Sequence, residues 1–114
     1  MAAYLLSTGL EGERAMREDA AEQYYVYLLS DSAASSVYTG VSNNLKKKMG
    51  GLKDKNRPGF LREHPAAYLV HFEVFGDPYS AMAREREIKE SSLVQKVSLI
   101  RSFNHEWVDL SETL

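Results

Sequence analysis

The sequence predicts a small α+β domain in the order β-β-α-β-α-α, with a three-stranded, mostly antiparallel sheet flanked by helices. Three observations carry that expectation. Residues 24–29, 37–41 and 67–75 are rich in β-branched and aromatic side chains. The first two runs are joined by a short loop of small polar residues, which favours an antiparallel hairpin. Three later segments have helical apolar spacing, two of them behind residues that start helices.

Residues 24–29 read YYVYLL, a run with no polar face, as expected of a buried strand. The loop DSAASS follows, and then VYTGV at 37–41, where Gly40 suggests a bulge or a close backbone approach. Ser42, Asn43 and Asn44 supply helix-start residues, and Leu45, Met49 and Leu52 then share one helical face with Lys48 at its edge. Gly50 and Gly51 weaken that helix by about 1 kcal/mol each relative to alanine. Residues 54–65 read as a loop holding two prolines. In the strand at 67–75, strict alternation would put Tyr68, Val70, Phe72 and Val74 on one face and Leu69, His71, Glu73 and Phe75 on the other. Asp77 is the expected N-cap and Pro78 the first residue of a helix to about residue 90. Its inward side gathers Ala81, Met82, Ile88 and Lys89 around Glu85, with Glu87 opposite. A last helix at 93–103 should turn Leu93, Val97 and Ile100 inward, and the tail should pack Trp107 and Leu110 back onto the domain.

A chain of 114 residues with 44% hydrophobic and 26% charged residues fits one domain. With no cysteine there is no disulfide, thiolate zinc site or cysteine nucleophile. His64, His71 and His105 are too scattered to suggest a histidine-built metal cage. The formal net charge of −2 argues, taken whole, against a nucleic-acid partner. The distribution says otherwise. Residues 1–22 hold Glu11, Glu13, Glu18, Asp19 and Glu22 against Arg14 and Arg17, whereas residues 46–62 hold Lys46, Lys47, Lys48, Lys53, Lys55, Arg57 and Arg62 against Asp54 alone. A basic stretch of this kind is either a solvated face or a surface for phosphates. The chain divides into an N-terminal extension, 1–22, loosely ordered or helical, and a domain at 23–114; Met16 is a candidate alternative start. No signal sequence or membrane span is legible, so a cytoplasmic protein is expected.

Gly-rich phosphate loops, paired zinc ligands and a serine–histidine–acid set are all missing. What remains is a convergence of Tyr27 and Tyr38 on adjacent strands, Lys48 on the next helix and Glu85 on the inward face of a later one. A carboxylate can hold a hard divalent cation whose shell water completes. A lysine offsets charge on a phosphoryl transition state, and a phenol can help activate water. Each residue also has an ordinary reading: tyrosines fill sheets, lysine-rich helices face solvent, and Glu85 could be a structural carboxylate paired with a base.

The segments Tyr25-Val26-Tyr27 and Tyr38-Thr39-Gly40 resemble the two signature strands of the GIY-YIG endonuclease domain. The resemblance extends through Asn44-Leu45-Lys46-Lys47-Lys48, the aromatic third strand, Ala83-Arg84-Glu85-Arg86-Glu87-Ile88-Lys89 and Glu106-Trp107-Val108-Asp109-Leu110-Ser111. It covers roughly residues 24–112 and points to the small stand-alone bacterial branch, the excinuclease-like or YhbQ-like proteins. It implies cleavage of DNA phosphodiester bonds with Mg²⁺ or Mn²⁺, as in homing endonucleases and the incision nucleases of DNA repair. Tyr27 and Tyr38 match the signature tyrosines, Glu85 matches the metal-binding glutamate, and Lys48 stands where the family has a catalytic arginine. Lysine keeps the charge and loses the planar fork. Leu52 stands where many members have histidine, and Glu90-Ser91-Ser92-Leu93 replaces the usual Gly-Trp pair and basic residue. Two functions follow from these residues. One is a DNA endonuclease, weakened by Lys48. The other is a catalytically impaired fold that binds nucleic acid or a protein through Lys46, Lys47, Lys53, Lys55, Arg57 and Arg62, with Gly40 and Asn44 as structural residues. One short basic patch should bind DNA weakly alone, which leaves room for a homodimer or a protein partner.

Overall fold

The structure is a computed structural model that describes residues 22–51 and 63–114. The extension up to residue 21, with Met16, and residues Leu52, Lys53, Lys55, Arg57 and Arg62 lie outside the described residues.

Strands β1 (Tyr24–Ser30) and β2 (Val37–Ser42) form the expected hairpin, antiparallel and in unbroken register from Tyr25 opposite Ser42 to Ser30 opposite Val37. Helix α1 (Leu45–Gly51) follows, then β3 (Tyr68–Phe75), α2 (Pro78–Lys89), α3 (Leu93–Phe103) and a 3₁₀ turn (Leu110–Thr113). β3 pairs antiparallel with the free side of β1, so the sheet order is β2-β1-β3. The α+β fold is the one predicted, and every strand pairing in it is antiparallel. As the central strand, β1 is covered on both faces, which explains why YYVYLL lacks a polar alternation. None of the described helices is long and apolar enough to cross a membrane.

Each face of the sheet has its own core. On one, α2 and α3 bring Ala81, Ile88 and Ile100 onto Val26, Leu28 and Val70. On the other, Leu45 and Met49 of α1 pack on Tyr27, Leu29 and Leu69, with Leu110 and Leu114 beside them. α1 is capped as expected: the Asn44 side-chain oxygen accepts from the Lys47 amide at 3.1 Å. Asp77 caps α2, accepting from the Ser80 amide at 2.8 Å and its hydroxyl at 2.9 Å, with Pro78 opening the helix. Ser92 and Gln95 form a reciprocal capping box on α3. In α3, Ile100 is buried as expected, but Leu93 is 41% exposed because it lies in the first turn, before the helix comes down onto the sheet.

β3 departs from simple alternation. His71 stands opposite Leu28, but Leu69 stands opposite Leu29, so Val70 is an extra residue in a β-bulge. The bulge sets Tyr68, Val70, His71 and Glu73 on the α2/α3 side, and the expected two-face division of this strand fails there. His71 and Glu73 are consequently buried together under α2, at 2% and 3% exposure. Glu73 accepts from His71 Nε2 at 2.9 Å, from Arg84 Nε at 2.8 Å and from Arg84 Nη2 at 3.0 Å. Arg84 also donates to Glu87 at 2.9 Å. Burial alone would push the Glu73 carboxyl up, but the hydrogen bonds and charges of His71 and Arg84 outweigh it and hold the group at about 2.

The tail closes over the same face. Buried Asn104 donates to the carbonyls of Val70 at 3.0 Å and Val108 at 2.8 Å, and accepts from the Val108 amide at 3.0 Å. Trp107 donates to the Asp31 carbonyl at 3.0 Å, and Arg101 lies 5.3 Å from its ring centre. Trp107 and Leu110 thus pack back as the sequence suggests.

Candidate active site

Gly40 organises the site. It lies opposite Tyr27 in the hairpin, and the Tyr27 ring crosses over it toward β2, the edge strand. A Cβ at position 40 would sit 2.6 Å from both Cζ and Oη of Tyr27. Of the two readings of Gly40, a bulge or a close approach, the close approach is the one observed. Its φ is negative, so the requirement is for space rather than for a left-handed backbone.

Tyr27 is 2% exposed, and its ring centre is 6.2 Å from that of Tyr38 at an interplanar angle of 46°. Burial pushes the Tyr27 phenol well above its usual range. The Tyr38 ring, its hydrogen bond to Tyr27 and the charge of Glu85 add to the effect. Tyr27 is therefore a neutral phenol at any physiological pH, suited to holding Tyr38 and donating a hydrogen bond rather than to taking a proton.

Glu85 belongs to α2, which packs on β1 and β2 from the opposite side of the sheet, yet its carboxylate lies close enough to act electrostatically on Tyr27. Its side chain is 22% exposed and accepts from Lys89 Nζ at 3.0 Å, one helical turn along. The flanking Ala81 and Ile88 are buried, while Met82 is 53% exposed. Glu85 thus borders the apolar face of α2 instead of standing at its centre. The carboxylate locked into the core is Glu73.

The fold pairs Tyr27 with Tyr38 on one face of the sheet, and Glu85, on α2 across the sheet, acts on Tyr27 through its charge. Lys48 is on α1, which covers the same face as Tyr27 and Tyr38, but its side chain is exposed, as are Lys46 and Lys47. Among the described residues no group of three or more histidine or acidic side chains could enclose a metal. A single carboxylate still suits a small hard cation, which retains waters and takes its remaining oxygens from a phosphate. Two participants are not evident from the sequence expectations. Lys89 groups with Glu85 on the helical wheel, and the signal that makes it the partner is spacing: a glutamate four residues before a lysine is the favoured helical ion pair. Arg84 carries no such signal, because its role depends on Glu73 being turned inward by the bulge.

A family model described as the GIY-YIG catalytic domain matches residues 23–96. A UPF0213 protein of Natronomonas pharaonis is 34% identical over 80 residues, spanning 70% of this chain and 93% of its own length. Another, from Clostridium perfringens, is 36% identical over 78 residues, spanning 68% and 83%. A third, from Haloquadratum walsbyi, is 28% identical over 78 residues, spanning 68% and 86%. No solved structure matches the chain significantly. The match across the hairpin, α1, β3 and α2, together with these short relatives, places the chain in the GIY-YIG family of endonuclease-type domains, in its small stand-alone branch.

Proposed function

We propose that this protein is a divalent-metal-dependent endonuclease that hydrolyses DNA phosphodiester bonds at the Tyr27–Tyr38–Glu85 site. The observation that supports this reading is the pairing of the two phenols over Gly40, with the Glu85 charge acting on Tyr27 from across the sheet. Glu85 is the residue that would hold Mg²⁺ or Mn²⁺, and such a cation, when bound, polarises the phosphate and stabilises the leaving oxygen. Tyr27, neutral and buried, fixes the Tyr38 hydroxyl. Tyr38, half-buried, accepts a hydrogen bond from the attacking water and orients it. The Lys48 ammonium, together with Lys46 and Lys47, draws the phosphate backbone to α1 and offsets negative charge as it develops. Lys53, Lys55, Arg57 and Arg62 extend that basic surface in sequence.

A second reading, an impaired nuclease that only binds nucleic acid, is favoured by two observations: Lys48 replaces the family's arginine and is exposed, and Lys89 occupies the Glu85 carboxylate. Nicking of supercoiled plasmid with Mg²⁺ or Mn²⁺ separates the two. The endonuclease reading expects nicking by the wild type and its loss in Glu85→Ala. An inert wild type that gains activity on Lys48→Arg establishes the second reading. Nicking that survives Glu85→Ala refutes the assigned site.

A further inference from the structure

Beside the proposed site lies a cleft of about 390 Å³ between the end of β2 and the first turns of α2. Its walls are Tyr24, Val41, Pro78 and Met82, with the polar Ser42 and Asn43 at one end. It lies on the Glu85 side of the sheet: Val41 stands opposite Val26, which faces α2, and Met82 is one helical turn before Glu85. Its rim is apolar and open to solvent, with Val41 36% and Met82 53% exposed, and Tyr79, 82% exposed, lies one turn before Met82 on α2. The acids nearby are already engaged, since Glu22 accepts from the Tyr24 hydroxyl at 2.8 Å and Asp77 caps α2.

The outer face of α2 carries this surface toward Glu85. Tyr79, Met82, Arg86 and Lys89 follow at i, i+3, i+7 and i+10, one exposed stripe with apolar side chains at one end and cations at the other. Tyr79 and Glu85 are separated by about 9 Å along the helix axis. An aromatic and a thioether at one end and two cations at the other make a poor surface for regular duplex, whose bases are stacked away from reach. Such a surface suits a strand whose phosphates follow the cations while a base turns out onto the apolar end.

We propose that this cleft holds an unpaired nucleobase, so that the protein selects single-stranded or frayed nucleic acid and cuts next to the base it holds. The base lies against Val41 and Met82, Tyr79 stacks at the mouth, and Asn43 faces the base edge. Arg86 and Lys89 carry the adjoining phosphates to Glu85, which releases Glu85 from Lys89. The proposal rests on the nuclease reading above and names its substrate class.

The test is fluorescence anisotropy of the full chain in EDTA, which keeps the strand intact, with a labelled single strand, the matching duplex, and single strands carrying one abasic position in turn. The wild type is expected to bind the single strand more tightly than the duplex. One abasic position should weaken binding by about fivefold or more, the size of a lost stacking contact. Tyr79→Ala/Met82→Ala should lower the single-strand to duplex affinity ratio by a similar factor and abolish the effect of that abasic position. Val94→Ala, at an exposed position on α3, should leave the ratio as it is. Equal affinity for both forms, or a ratio unmoved by the double substitution, overturns the proposal and leaves the nuclease reading standing. Absence of binding to any of these ligands overturns the proposal, while the nuclease reading stands or falls on the plasmid nicking.

Discussion

Gly40→Ala tests the packing at the centre of the site. The new methyl group would stand 2.6 Å from Cζ and Oη of Tyr27, far inside contact distance. The ring cannot simply swing away, because it is buried against Tyr38, Leu45 and Met49. Overpacking of this kind costs about 1–3 kcal/mol. Removing a glycine also restricts the unfolded chain and returns about 0.4–1 kcal/mol. The net expectation is a loss of about 1–2 kcal/mol, a fall in melting temperature of about 5–15 °C for a domain of this size. Thermal and urea unfolding measure it, and a double-mutant cycle locates its origin. In a Tyr27→Leu background the ring is gone, so alanine at 40 should be neutral or slightly stabilising. If Gly40→Ala costs the same in both backgrounds, the clash is not with Tyr27 and the reasoning is refuted.

Arg84→Ala should destabilise by about 3–5 kcal/mol in urea titrations, because it strands the buried Glu73 carboxylate, whereas Glu87→Ala, on the exposed arm of the same network, should cost under about 1 kcal/mol. The depressed pKa of Glu73 makes the carboxylate a stabilising group above pH 4.5, its unfolded value. As pH falls from there toward about 2, up to about 3 kcal/mol should be lost, and Glu73→Gln should flatten that part of the stability profile. Asn104→Ala removes three hydrogen bonds and leaves the Val70 carbonyl unsatisfied, so unfolding should show a loss of about 2–4 kcal/mol with earlier proteolysis of the tail after Phe103.

Most of the fold is written locally. The buried run of β1, the polar loop after it and Asp77-Pro78 each specify their element without help from distant residues, so the observed ends fall within a residue or two of those expected. The face assignment of β3 is a different kind of fact. Nothing in YLVHFEVF marks Val70 as the extra residue; the shift arises from pairing with β1 and is supported by Asn104, more than thirty residues away. That one shift turns Glu73 inward and gives Arg84 its partner, which is why this network is invisible in the sequence. Among site residues, Gly40 is legible because a glycine within a strand asks for a close neighbour. The angular position of Glu85 is legible only approximately. A helical wheel places residues around an axis without saying where the sheet ends, and Glu85 lies at that border.

The two cores have a consequence for how the proposed activity would be lost. The phenols are held by the layer containing α1, and the carboxylate by the layer containing α2, with the sheet between them. Neither layer encloses a complete site. Detachment of α2 alone would separate Glu85 from an intact tyrosine pair. The proposed catalysis would then stop while much of the chain remained folded, so plasmid nicking should report on the docking of one helix rather than on the survival of the domain.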